Sequence, residues 1–208
     1  MADEIKKCVV ISGAPENDIS YYGRYAQGRY IICADSGYKK CLKAGLAPDL
    51  IIGDFDSSLR PDVDCEIIDL QVRKDDTDTF HCVNEAISRG YNDIVILGGI
   101  GSRVDHTYSN ILAVNYCFDK GIKCELINGL NRIFIVQGEV VIEKGEYKYF
   151  SLFSLFDKCT VTITGAQYEL DGYVLEPSSQ LTQSNAFKDD KVVINAVGGK
   201  IILILCND

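Results

Sequence analysis

Residues 50–56 read Leu-Ile-Ile-Gly-Asp-Phe-Asp. Three consecutive aliphatic residues suit a strand buried on both faces, as in a parallel sheet covered by helices. The run then meets Gly53 and delivers two carboxylates, Asp54 and Asp56, on either side of Phe55. In an open α/β sheet, the loops just beyond the carboxyl ends of the strands form the ligand crevice. Two carboxylates held this close repel each other unless a cation lies between them. A turn in which each aspartate caps nearby backbone N–H groups is the alternative reading.

The flanking sequence continues the same alternation. Residues 8–11 are a compact apolar run, ended by the loop signal Ser12-Gly13-Ala14-Pro15. A short helix is expected within 19–27 and a second strand at 30–34, which ends on another carboxylate in Asp35-Ser36-Gly37. A helix over 38–44 stops at Gly45, a suitable C-cap. Strands are expected at 66–70, 94–97 and 123–127. The helices between them carry Phe80, Val83, Ala86 and Ile87, then Ile111, Val114 and Phe118, on their inward stripes.

Two of the connecting loops are richer than turns require. Lys74-Asp75-Asp76-Thr77-Asp78 precedes the helix that Gly90 closes. Acidic residues suit a helix N-terminus, where free N–H groups and the macrodipole favour negative charge. That explains one or two carboxylates, not three within four residues introduced by a lysine. The second loop is Gly98-Gly99-Ile100-Gly101-Ser102-Arg103-Val104-Asp105-His106. Glycines between strand and helix let backbone N–H groups approach a phosphate, and Arg103 adds a fork of donors matched to phosphate oxygens. The stretch is neither a GxGxxG fingerprint nor a Walker A loop. Asp105 as a simple helix cap and His106 as a structural residue remain open on this reading, and His81, on a helix away from such a loop, reads as structural.

Beyond residue 130 the texture changes. Segments 133–137 and 140–143 flank Gly138 as a predicted hairpin, 147–156 is aromatic, and 160–164 alternates with period two. Segments 192–197 and 200–205 are separated by Gly198-Gly199, a second predicted hairpin. No helix is expected after residue 121. The fold class is therefore an α/β N-terminal domain, with a mostly parallel sheet flanked by helices, followed by an all-β sandwich or barrel. The expected domains are 1–130 and 131–208, with the boundary around Asn128-Gly129-Leu130-Asn131.

Composition excludes some classes. A net charge of −9 disfavours non-specific binding to nucleic acid or to an anionic membrane surface. No stretch reaches the roughly 20 apolar residues that span a bilayer. The nine cysteines show neither a CxxC pair nor zinc-ligand spacing. That usage fits a reducing cytoplasm, and the acidic start Met1-Ala2-Asp3-Glu4 is unlike a targeting peptide.

Taken in order, Asp35, the Asp54-Phe55-Asp56 loop, the 74–78 loop, the 99–106 loop and Ser184-Asn185 before the chain's end closely resemble the thiamine pyrophosphokinase family. The resemblance runs from about residue 30 to the C-terminus. It implies transfer of a pyrophosphoryl group from ATP to thiamine, giving thiamine diphosphate and AMP, with Mg²⁺ as cofactor. It further implies a nucleotide-binding α/β domain, a thiamine-binding β-domain, and a homodimer with its active sites at the subunit interface. Carried onto this sequence, Asp54, Asp56 and Asp78 match the acidic positions around metal and phosphates. Asp35, Lys74, Asp75, Gly99, Gly101, Ser102, Arg103 and His106 fall at nucleotide and phosphate positions. Arg103 and Asp105 join the aspartates as catalytic residues, and Ser184 and Asn185 match the thiamine-recognition pair. Ser102 stands where the family usually has a second glycine before the arginine. The chain has no tryptophan, so stacking on thiamine falls to Tyr168, Tyr173 or Phe187. Two other readings of the same residues are a metal-dependent phosphohydrolase and a non-catalytic nucleotide- or thiamine-binding protein.

Overall fold

The computed structural model describes residues 4–55, 60–71, 76–101 and 103–208. The chain divides into two units, Met1–Gly129 and Leu130–Asp208.

In the first unit the order is β1 (Lys7–Ile11), α1 (Tyr22–Ala26), β2 (Tyr30–Ala34), α2 (Gly37–Lys43), β3 (Leu50–Gly53) and β4 (Glu66–Asp69). Then follow α3 (Asp78–Ser88), β5 (Asp93–Leu97), α4 (Val104–Asp119) and β6 (Lys123–Ile127). The strands lie in the order β6-β5-β1-β2-β3-β4, and each neighbouring pair is parallel. All of β3 and β5, and all but the first residue of β1 and β2, are buried. Burying each Val, Ile or Leu from water contributes about 1.5–3 kcal/mol, so short unalternating runs suffice for the core of such a sheet. The chain winds outward from β1 to β4 and then returns to set β5 on the other side of β1. That reversal falls between β1 and β5, the place in such a sheet where a ligand crevice lies beyond the carboxyl ends of the strands.

Thr77 starts α3, its hydroxyl accepting from Phe80 N at 3.2 Å. The inward face of α3 is Thr79, Cys82, Val83 and Ala86, so the expected stripe is corrected at Phe80 and Ile87. Phe80 turns instead to Tyr116 of α4, ring centroids 5.0 Å apart. On α4 the buried residues include Asn110, Ala113, Val114 and Cys117, while Ile111 and Phe118 are half-buried. Small side chains let both helices settle closely on the sheet, which displaces the bulkier residues to the flanks.

The second unit contains β7 (Asn131–Glu143), β8 (Tyr149–Ser154), β9 (Cys159–Thr164), β10 (Leu170–Leu175), β11 (Asn185–Ala186) and β12 (Lys191–Cys206). Among the described residues its strands all pair antiparallel. Two expectations are corrected here. Gly138 does not turn a hairpin, and neither does Gly198-Gly199: β7 and β12 each continue unbroken past them. The two strands pair along their length, from Lys191↔Glu143 to Cys206↔Asn131, with a register shift between Ala196 and Ile201. Gly138 and Gly198 both have φ 82, the left-handed conformation used in hairpin turns and in bulges alike. At this bend β12 changes partner, from β9 through Val193–Val197 to β8 through Ile201–Cys206. The core between these strands includes Phe150, Leu152, Val161, Ile163, Ile194 and Leu203.

All nine cysteines are free, most of them buried. Among the described residues no helix is long and apolar enough to cross a membrane.

Candidate active site

A cleft of about 490 Å³ opens at the carboxyl edge of the parallel sheet. The loop after β1 (Ser12, Gly13, Ala14, Pro15) forms one wall, and Asp35 and Ser36 after β2 form the floor. Thr77, Asp78 and Thr79 at the start of α3 face Arg103, His106 and Asn110 of α4 and its leading loop. These residues come from four segments far apart in sequence and meet where the winding of the sheet reverses.

Two backbone features set the acidic side. Asp35 has φ 41 and donates its amide to the Ile52 carbonyl at 2.8 Å. Gly53 lies directly beside it: a Cβ there would sit 3.0 Å from Asp35 Cα and 3.3 Å from Asp35 Oδ1. Only glycine lets the ends of β2 and β3 close to this distance. Asp35 Oδ1 is buried and has no hydrogen-bond partner among the described residues. Such an oxygen is costly to bury unless a ligand or cation meets it. Phe55 follows with φ 48, a conformation costing a bulky residue about 1–3 kcal/mol. Its ring packs against the apolar cluster that includes Cys33, Cys41 and Ile51.

The opposite side is built from the loop after β5. Gly98 has φ 61, and a Cβ there would lie 2.6 Å from the Tyr22 hydroxyl and 2.7 Å from the Ser12 carbonyl. Asn110 Nδ2 donates to the Gly99 carbonyl at 2.8 Å, and Gly101 N donates to Thr107 Oγ1 at 3.3 Å. Arg103 is largely exposed and forks onto Asp105, with Nη2 at 2.6 Å from Oδ2 and Nε at 3.2 Å from Oδ1. The pairing holds the Asp105 carboxyl below its ordinary pKa, helped by a hydrogen bond from His106 N.

Of the sequence-predicted residues, Asp35, Asp78, Arg103 and His106 line one cleft. Asp54 is half-buried on the loop after β3 and Asp105 pairs with Arg103; neither belongs to the cleft lining. Gly99 and Gly101 shape the loop below Arg103. Asp56, Lys74, Asp75 and Ser102 lie outside the described residues. In the second unit, Ser184 has φ 55 and its amide donates to Ser151 Oγ at 2.9 Å. Asn185 is buried, its side chain bound to the backbone of Tyr168. Tyr168 is 64% exposed, whereas Tyr173 and Phe187 pack against the core. His81 is half-buried, with Nε2 lacking a hydrogen-bond partner among the described residues.

Sequence reasoning missed Ser12, Thr79 and Asn110. Ser12 and Thr79 share a buried hydroxyl hydrogen bond of 2.7 Å that joins the β1 loop to α3. A signal existed in each case: a hydroxyl ending an apolar strand, and polar residues on the buried face of a helix. Among the described residues, no group of three His, Cys, Asp or Glu side chains is assembled as a metal centre.

Comparison with known proteins agrees with this architecture. Residues 24–126 match the family model "Thiamin pyrophosphokinase, catalytic domain", and residues 139–201 match "Thiamin pyrophosphokinase, vitamin B1 binding domain". The chain is 29% identical to a thiamine pyrophosphokinase of Bacillus subtilis, over 98% of this chain and all of that one. It is 28% identical to thiamine pyrophosphokinase 1 of Oryza sativa, over 82% of this chain and 76% of that one. The crystal structure of the thiamine pyrophosphokinase from Bacillus subtilis superposes with a TM-score of 0.89 at 27% identity, covering 98% of this chain and 100% of that one. With both family domains matched in their expected order, the chain belongs to the thiamin pyrophosphokinase family.

Proposed function

We propose that this chain is a thiamine diphosphokinase, moving the pyrophosphoryl group of ATP onto the hydroxyl of thiamine to give thiamine diphosphate and AMP. The observation that carries this reading is the meeting of Asp35, Asp78, Arg103 and His106 in one cleft at the reversal point of a parallel sheet. Acidic and basic groups facing each other across such a crevice suit a metal-bound polyphosphate.

The acidic side fits Mg²⁺. That ion keeps several waters and needs only a few protein carboxylates alongside substrate phosphates, so it suits an open rim rather than a closed cage. The buried, unpartnered Oδ1 of Asp35 supports a cation or its water on this side. In this reading Asp54, Asp56 and Asp78 would hold the ion, which when bound would supply charge neutralisation at the phosphates. Arg103 clamps phosphate. Its exposed pairing with Asp105 is weakly held in water, so an incoming phosphate can share the guanidinium while Asp105 keeps it aimed. Lys74 supplies a second clamp with Asp75 beside it. The backbone around Gly99, Gly101 and Ser102, with His106, surrounds the phosphates. The thiamine hydroxyl attacks the β-phosphorus in line, AMP leaves, and a site aspartate takes the hydroxyl proton.

The 1–130 domain is the nucleotide- and Mg²⁺-binding half in this reading, and 131–208 is the thiamine-binding half, where Ser184 and the exposed Tyr168 form the recognition surface and the buried Asn185 holds Tyr168 in place. A homodimer with shared active sites and a cytoplasmic location complete the reading; the free cysteines support the latter.

Incubation with thiamine, ATP and Mg²⁺ tests it. Thiamine diphosphate and AMP should appear in equal amounts, and AMP only when thiamine is present. Nucleotide hydrolysis at the same rate without thiamine would overturn it in favour of a phosphohydrolase. Equilibrium sedimentation giving a single-chain mass would remove the dimer.

A further inference from the structure

The β1-loop wall of the cleft is fastened from behind by a lysine that the reaction itself does not call for. Lys40 Nζ, on α2, donates to the Ala14 carbonyl at 2.6 Å. The same loop is tied to the glycine loop: Ser12 N donates to the Leu97 carbonyl at 2.8 Å and Ala14 N to the Gly98 carbonyl at 3.0 Å. A Cβ on Gly98 would collide with Lys40 Nζ. The ammonium is therefore wedged where the two cleft loops meet. Its countercharge is Glu16, whose carboxylate accepts from the Tyr22 hydroxyl at 2.8 Å and also from the Tyr21 hydroxyl.

Half-burying an ammonium is unfavourable, so a lysine kept there calls for an explanation beyond packing. Burial brings the Lys40 pKa down to about 8, with Glu16 acting in the opposite direction. The titratable groups facing Lys40 are Glu16 from the loop after β1, Tyr22 from α1 and Cys33 from β2, with Tyr21, just before α1, reaching Glu16. Burial pushes both tyrosines up, and the hydrogen bond with Cys41 pushes Cys33 up. Lys40 thus changes charge near pH 8 while the hydroxyls and thiol beside it stay neutral.

We propose that Lys40 is a positioning residue for the nucleotide's phosphates: its ammonium holds the 12–15 loop against the glycine loop, and phosphate binding weakens when that proton is lost. A neutral amine is a weaker donor to Ala14, and its loss of charge leaves the Glu16 carboxylate behind a cleft that must accept a polyanion. The inference rests on reading this cleft as the ATP phosphate site.

Titration calorimetry of MgATP on the full chain, on either side of pH 8, tests it. The wild-type affinity should fall by about tenfold as pH rises through the Lys40 transition. Lys40→Arg should bind tightly with no such limb, and Lys40→Met weakly with no such limb. Glu16→Gln should move the limb to lower pH, because Glu16 is what keeps the proton on Lys40. A Lys40→Met protein with wild-type affinity and wild-type pH dependence overturns the proposal, as does a limb that Glu16→Gln leaves in place. If the wild type binds no MgATP at any pH, the phosphate-site reading itself falls; if it binds and Lys40→Met is indistinguishable, only the role of Lys40 falls.

Discussion

Asn185 grips both backbone polar groups of Tyr168: its Oδ1 accepts from Tyr168 N at 3.0 Å, and its Nδ2 donates to Tyr168 O at 2.7 Å. Oδ1 also accepts from Ala186 N at 2.9 Å, and the residue is 4% exposed. An amide so committed has little capacity left for a ligand. Asn185→Ala should therefore cost about 2–3 kcal/mol, since it strands buried backbone groups, and should raise the thiamine KM by loosening Tyr168. Tyr168→Ala should raise the thiamine KM at unchanged stability. Urea unfolding beside steady-state kinetics checks both. A raised KM for Asn185→Ala with wild-type stability would mean that the amide meets thiamine directly.

Asp54→Asn and Asp78→Asn are expected to lower kcat by orders of magnitude while melting temperatures stay near that of the wild type. Asp54 sits on the loop after β3 and Asp78 at the first position of α3, both outside the apolar core. Chelation of Mg²⁺ should abolish turnover reversibly. Near-normal turnover in either variant removes that carboxylate from the metal site.

Gly53→Ala places a methyl group 3.0 Å from Asp35 Cα and 3.2 Å from its Cβ. Backbone there cannot yield cheaply, so the variant should lose about 1–3 kcal/mol and most of its activity together. A fully active Gly53→Ala enzyme would show that the β2 and β3 ends can part without harm to the site.

Lys40 also makes a signed prediction for stability. Its pKa is about 8 in the fold, below the ordinary lysine value of 10.5. Between those values the unfolded chain holds more protons at this site than the folded one, so this group's contribution to stability rises with pH. Below pH 8 the charged form is fully present and the unfavourable burial is felt in full. Lys40→Met should therefore gain most in melting temperature, relative to wild type, near neutral pH, and progressively less above pH 8. Differential scanning calorimetry across that range checks the trend; an equal offset at every pH would remove the titration from the account.

The strands and loops of the first unit were legible because their signals are local. An unalternating run such as Leu50-Ile51-Ile52 can only be satisfied by cover on both faces, and a carboxylate just past it lands at the sheet edge. Arg103 and the aspartates announced themselves as more charge than turns and caps require. Lys40 did not, because a polar residue on a short helix carries no mark of which loops it will stand behind.

The second unit marks the boundary most clearly. Gly138 and Gly198-Gly199 announce a positive φ, which serves a hairpin and a bulge equally well. Which of these forms depends on partners far along the chain, such as Val136 with Ile201 and Ala196 with Gly138. The same holds for Asn185, whose residue type suggests recognition but whose amide is spent on Tyr168. The sequence alone determined the buried strands, the order of the acidic and glycine-rich loops and, through them, the family. Only the tertiary structure decided which polar groups line the cleft and which are spent on backbone groups behind it. Hydrogen-bond partners and burial belong to residues brought together from separate segments, and no local pattern encodes those meetings.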